Sequence, residues 1–150
     1  MAQGNPGRLQ KLAALSIADW WILMASMFLL PATALSLKIK GYTWTREYLE
    51  NHVKRRPNSA LTRERQLTEA QRITRLVSIA ASHGIYRTNC LKRALVARWL
   101  LLRRGIGTDL KIGINNDLSP FSAHAWLEFD GHILIDSDKT KERFTAFDSH

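Results

Sequence analysis

Three residue types capable of covalent acyl chemistry occur in the chain in the order Cys90, His124, Asp136. A thiolate attacks a carbonyl carbon. An imidazole takes the thiol proton and returns it to the leaving amine. A carboxylate orients that imidazole and stabilises its charged form. Cys90 is the one cysteine in 150 residues. That excludes an intramolecular disulfide and a CxxC metal site, and it fits a reducing compartment. No His, Cys and Asp cluster has metal-ligand spacing, and the reading calls for no cofactor. A lone cysteine is also a common small core residue, so its position has to decide between packing and nucleophile. The other histidines have plainer readings: His83 at a helix C-terminus, His132 beside a turn, His52 and His150 on the surface.

Periodicity predicts the elements that must hold these residues. Thr88 or Asn89 can cap a helix that begins at Cys90 and ends at Gly105, with arginines in the last turn where the dipole favours cations. At 100° per residue Cys90 shares a stripe with Ala94, Ala97 and Leu101. The remaining surface is mostly apolar too, which predicts a central, buried helix. A thiol in the first turn meets the positive end of the dipole and unpaired N–H groups, which favour the thiolate. The backbone N–H of Cys90 is a candidate oxyanion donor.

After Gly105-Ile106-Gly107 the period changes to two. Leu110, Ile112 and Ile114 alternate with Lys111 and Gly113, which predicts a half-buried strand. A polar turn over 115–120 leads to a second strand, Ser122 to Glu128, and Asp130-Gly131 turns it into a third, His132 to Asp136. Ser122, His124, Trp126 and Glu128 share one face; Ala123, Ala125, Leu127 and Phe129 share the other. Two registers are open. A two-residue turn pairs Phe129 with His132 and leaves His124 facing away from Asp136. A three-residue turn (Phe129-Asp130-Gly131, Gly131 left-handed) sets His124 opposite Asp136, with Cβ atoms ~5 Å apart. The expected His–Asp pair rests on the second. If that face packs on the Ala94/Ala97 stripe, Cys90 lies over His124. Asp138, on the face of Asp136, is an alternative third member.

The N-terminal part reads as helical and apolar. Residues 1–10 look like a loose tail. Trp20 to Leu37 carries no charge. As a helix that run would be ~27 Å long, close to the ~30 Å hydrocarbon core of a bilayer. Pro31 argues instead for two buried helices meeting there, in a soluble or peripheral protein. A short amphipathic helix, Thr45 to Arg56, should turn Tyr48, Leu49 and Val53 inward. Pro57-Asn58-Ser59 breaks it, and 57–67 reads as a charged linker. Thr68-Glu69-Ala70-Gln71 reads as a capping box opening a helix with Ile73, Leu76, Val77 and Ala80 buried and Gly84 at its end. Lys139 to His150 reads as a mixed tail with Phe144 and Phe147 docked. The expected fold is α+β: a helical N-terminal half, then a central cysteine helix packed on a small antiparallel sheet. Residues 1–60 form the apolar helical region and 61–150 the core. The net charge of +9 suggests an anionic partner. The basic residues are scattered and no nucleic-acid motif accompanies them, so nucleic acid is not the expected partner.

The sequence resembles the leader peptidase of lasso-peptide biosynthesis, within the transglutaminase-like, papain-related cysteine hydrolases. The matching stretches are Cys90-Leu91, Ala94-Leu95, Trp99-Leu100-Leu101 and Arg104-Gly105-Ile106, then Ile112-Gly113-Ile114, then Phe121-Ser122-Ala123-His124-Ala125-Trp126-Leu127-Glu128-Phe129-Asp130-Gly131. The likeness is specific over about residues 70 to 136. It implies a transglutaminase-like core with Cys90, His124 and Asp136 as catalytic residues. The implied reaction is removal of the leader from a ribosomally made precursor peptide. Implied partners are that precursor, a separate leader-recognition protein of winged-helix type, and an ATP-dependent lasso cyclase. The family's precursors commonly carry Thr next to last in the leader, which implies a small pocket for it. With no room for a recognition domain before the apolar stretch, the chain reads as the stand-alone peptidase subunit. It is expected in the cytoplasm, with peripheral membrane contact open.

The same triad could serve acyl transfer, as in a transglutaminase-like reaction. A reading from another class is a non-catalytic, membrane-associated scaffold of a biosynthetic complex, motivated by Trp20–Leu37 and the charge. The two classes part at Cys90, which a scaffold can lose without consequence.

Overall fold

The apolar N-terminal stretch forms one helix in the computed structural model, which describes residues 15–51, 60–83, 89–115, 122–135 and 145–147. This helix, α1, spans Ile17–Lys40. A capping box starts it: the Ser16 hydroxyl accepts from the Asp19 N–H, and the Asp19 carboxylate accepts from the Ser16 N–H. The expected break at Pro31 does not occur. Leu30 on one side and Thr33 and Ala34 on the other are buried, while Pro31 itself faces outward. Packing on both sides carries the helix across the one hydrogen bond that proline removes.

Gly41, with φ at +84°, reverses the chain into α2, Tyr42–Asn51. The Thr45 hydroxyl is buried here, donating to the Gly41 carbonyl at 2.8 Å and lying 2.8 Å from the Ser36 hydroxyl. Tyr48 was expected inward but is exposed, stacked on Trp44 at 4.9 Å between ring centroids. Thr45 takes the inward place because its small hydroxyl satisfies both the turn and α1. Val53 lies outside the described residues.

α3 spans Arg63–His83 and begins before the expected capping box. Thr68 is inside it, and its hydroxyl donates to the Glu64 carbonyl at 3.0 Å. Residues 63–67, expected as linker, are therefore helical; tertiary packing outweighs their charge. Ile73, Leu76, Val77 and Ala80 are buried as expected, joined by Ala70 and Thr74. α4 spans Cys90–Arg103. Asn89 is its N-cap with extended backbone, though its side chain makes no capping bond. Thr88 and Gly84 lie outside the described residues. Ala94, Ala97 and Leu101 are wholly buried, so α4 is the central helix its pattern predicts.

Among the described residues four antiparallel strands form the sheet: β1 (Asp109–Asn115), β2 (Ser122–Phe129), β3 (His132–Ile133) and β4 (Thr145–Phe147), in the order β3-β2-β1-β4. β4 pairs Ile112 with Phe147, where the sequence suggested only a docked tail; three residues are too few for a period to show. The architecture is α+β. α1, α3 and α4 pack together, and α4 also lies on the sheet, chiefly on β2. One apolar core runs through them, from Ile22 and Leu30 of α1 through Ile73 and Leu95 to Leu127 and Phe129.

Two ionic clusters tie the helices. The Arg72 guanidinium donates to Asp19 at 2.7 Å and to Glu69 at 3.0 Å, and Glu69 also pairs with Arg104. The start of α1, the middle of α3 and the end of α4 are thereby joined. Burial pushes the Asp19 carboxyl up, but the Ser16 N–H and the Arg72 guanidinium outweigh burial and hold it below the ordinary carboxylate value. Arg98 of α4 pairs with Glu50 of α2 at 3.1 Å and donates to the Thr108 carbonyl.

Candidate active site

Cys90 is the first residue of α4 and is partly exposed, although the helix it opens buries Ala94 to Ala97, Leu100 and Leu101. Arg93 N–H bonds back to the Asn89 carbonyl at 3.3 Å, the first helical bond. N–H groups ahead of it in the first turn, that of Cys90 among them, have no helical acceptor, which suits an oxyanion. The chain leaves α4 through residues 104–108 and enters β1 at Asp109, the partner of Glu128. So short a connection holds the C-terminal end of α4 near that end of the sheet. α4 lies on β2, so its N-terminal end, ~20 Å away, points toward the Gly113/His124 end.

His124 is the third residue of β2 and pairs with Gly113 of β1. A glycine there leaves room beside the imidazole. His124, Trp126 and Glu128 share one face, as their alternation predicts. The Trp126 indole N–H donates to Glu128 Oε1 at 3.0 Å. The indole and imidazole rings are 6.1 Å apart between centroids and 19° from parallel. Trp126 is 1% exposed. A carboxylate, an indole and an imidazole thus form a row along β2, the indole held at its polar edge and its face turned to His124. The His-x-Trp-x-Glu alternation is visible in the sequence, whereas the seating of Trp126 against His124 shows only in the folded strand.

Two expectations about this face are corrected. The core is joined by Leu110, Leu127 and Phe129, the opposite face of the sheet. The His124 face therefore does not pack on the Ala94/Ala97 stripe; the helices take the face of Ala125, Leu127 and Phe129, which carries no polar side chain. The turn is also the two-residue form: Phe129 pairs with His132 and Glu128 with Ile133. Asp130 (φ +47°) and Gly131 (φ +78°) are both left-handed, as a type I′ turn requires. Aspartate tolerates that conformation, and its carboxylate is held by Arg63 at 2.7 Å through both oxygens.

The Leu134 N–H still donates to the Leu127 carbonyl at 2.9 Å. Leu134 packs against the core, yet the next residue, Ile135, is buried within it as well. Strict alternation stops at that bend. Asp136 and Asp138 lie outside the described residues. Among the described residues, no group of three or more His, Cys, Asp or Glu could hold a metal ion.

Compared with known proteins, the chain matches a family model described as transglutaminase-like superfamily over residues 30–148. No curated protein and no solved structure matches it.

Proposed function

The chain belongs to the transglutaminase-like superfamily, and from that premise we propose that it is a cysteine peptidase that removes the leader of a lasso precursor peptide. The superfamily generally includes cysteine hydrolases and acyltransferases. The observation that carries the reading is a lone cysteine opening the central helix, with a histidine following on the sheet strand that this helix covers. The finer assignment draws on the likeness to lasso leader peptidases around Cys90 and His124 described above.

In this reading Cys90 Sγ attacks the scissile carbonyl carbon. The N–H groups at the start of α4 stabilise the resulting oxyanion. The carbon–nitrogen bond breaks, and His124 returns the thiol proton to the departing amine, leaving a thioester on Cys90. Water then attacks the thioester, giving up a proton to His124, and the thiol is restored. Trp126 and Glu128 hold the imidazole plane. Asp136 is the proposed orienting carboxylate. His124 stands on the face of β2 away from α4, two residues from the strand's start. The reading therefore requires Cys90 and His124 to meet round that end of β2 and not through the layer interface. The exposed α-amine would pass to the cyclase. A leader-recognition protein would present the precursor, with its Thr in a small pocket beside Cys90.

The test is cleavage of a lasso precursor peptide followed by mass spectrometry, with and without the recognition protein. Wild-type enzyme should release a leader-sized fragment, and Cys90→Ala should release none while keeping its circular dichroism. Equal release by both would remove Cys90 from the chemistry. Transfer of the acyl group to an added amine, with no hydrolysis, would favour the acyltransferase reading instead.

A further inference from the structure

α1 has two apolar faces, and among the described residues only one of them is covered. Ile22, Leu23, Ser26, Leu30, Thr33 and Ala34 face α3 and α4. On the opposite side Ile17, Trp20, Trp21, Phe28, Leu35 and Ile39 form a stripe along the full helix, with Phe28 71% and Trp21 59% exposed. The stripe is ~33 Å long at 1.5 Å per residue. It continues onto α2, where the exposed Trp44 and Tyr48 stack beside it and line a groove of about 430 Å³ with Leu35 and Ile39. Exposed apolar surface of this extent marks an interaction site.

Charge identifies the occupant. From Trp20 to Arg46 the sequence has no acidic residue, and its cations are Lys38, Lys40 and Arg46. Arg46 pairs at 3.2 Å with Glu50, a carboxylate it shares with Arg98. Lys38 and Lys40 stay at the C-terminal end of the stripe, Lys40 over the Trp44 ring at 5.7 Å. Tryptophans stand at both ends, Trp20 and Trp21 at one and Trp44 at the other. Aromatic rings with a polar edge, lysines beside them and aliphatic side chains between suit the boundary between headgroups and acyl chains. The whole chain carries +9, which favours an anionic surface.

We propose that the outer face of α1, with Trp44 and Tyr48, docks the protein in the plane of an anionic lipid bilayer. This inference is independent of the reaction proposed above. α1 lies along the bilayer and does not cross it. Its inner face is sealed against α3 and α4, whose outer sides expose Arg65, Arg75 and Arg103. A crossing would carry these cations into hydrocarbon.

The test is flotation of the full chain with vesicles of phosphatidylcholine alone, or of equimolar phosphatidylcholine and phosphatidylglycerol. Binding is expected to the anionic vesicles and to be about tenfold weaker on the neutral ones. The double variant Trp21→Ser/Phe28→Ser changes only exposed side chains and should weaken binding at least about tenfold, with circular dichroism unchanged. Lys38→Glu should lower affinity about tenfold for anionic vesicles alone. Tryptophan fluorescence should be quenched most by lipids brominated near the headgroup. Quenching strongest at the chain ends would mean a crossing helix and overturn the proposal. So would binding unaffected by the double variant, or failure to float with anionic vesicles. Self-association without vesicle binding would also overturn it, since a second copy would then cover the face.

Discussion

Two aromatic surfaces of this molecule lie outside the helical core, and they differ in almost every respect. On β2, Trp126 is 1% exposed, its indole N–H is bonded to Glu128 and its ring faces His124. On α1, Trp20 and Trp21 are more than half exposed. The first surface spends an aromatic side chain on fixing a neighbour's geometry. The second leaves its aromatics bare, at a standing cost in unburied apolar area. Hydrophobicity alone does not separate them. The inner face of α1 is in fact the less hydrophobic of its two sides, holding Ser26, Thr33 and the paired Asp19. Small residues let α3 and α4 approach closely, so packing chose size and not greasiness. What remains outside is large, apolar and without a partner in the described residues.

The comparison predicts that chemistry and docking separate under mutation. The largest effect belongs to Cys90→Ala: precursor cleavage should fall by at least ~10³-fold, as for the loss of a nucleophile, while vesicle flotation stays unchanged. Parallel kinetic and flotation assays check both halves. Next is Trp126→Ala, which empties a buried site and should cost about 3–5 kcal/mol in urea unfolding. Trp126→Phe keeps most of the volume and loses the bond to Glu128. It should cost less in stability, yet lower kcat through a misplaced imidazole. If kcat is untouched in Trp126→Phe, the row along β2 is packing and not positioning.

Third, Trp21→Ser/Phe28→Ser should abolish most vesicle binding while cleavage of a soluble precursor proceeds at the wild-type rate. A parallel loss of cleavage would erase the distinction between the two surfaces. The smallest effect concerns the cluster that seals the inner face of α1. The folded-state value of Asp19 is depressed, so its contribution is full above the ordinary 3.8 and is lost as pH falls through the lower folded value. With Arg72 partly exposed, Asp19→Asn should cost about 1–2 kcal/mol at neutral pH. The wild type should lose that margin in melting temperature below about pH 4, and the variant should show a shallower acid decline.

Much of the fold could be read from local patterns. The Cys90 stripe, the Ile73–Ala80 face, and β1 and β2 with their alternation are periodic over enough residues to stand out. Cys90 and His124 were visible as candidates because cysteine occurs once and because His124 sits in a patterned strand. The capping box at Ser16 and Asp19 is equally local, a serine followed three residues later by a carboxylate. The start of α3 is less local: its first turn is charged, and its helicity depends on what it packs against.

Other matters were decided only in three dimensions. Alternation sorted β2 into two faces but did not say which would meet the helices. That choice belongs to the core, which Leu110, Leu127 and Phe129 join from the other face. The Asp130-Gly131 pair allowed either turn, and Arg63, far away in sequence, holds the aspartate of the two-residue form. The run from Trp20 to Leu37 was uncharged by composition. Only packing split it into a sealed side and an open one, because a helix offers both faces to its surroundings and the partner helices cover one.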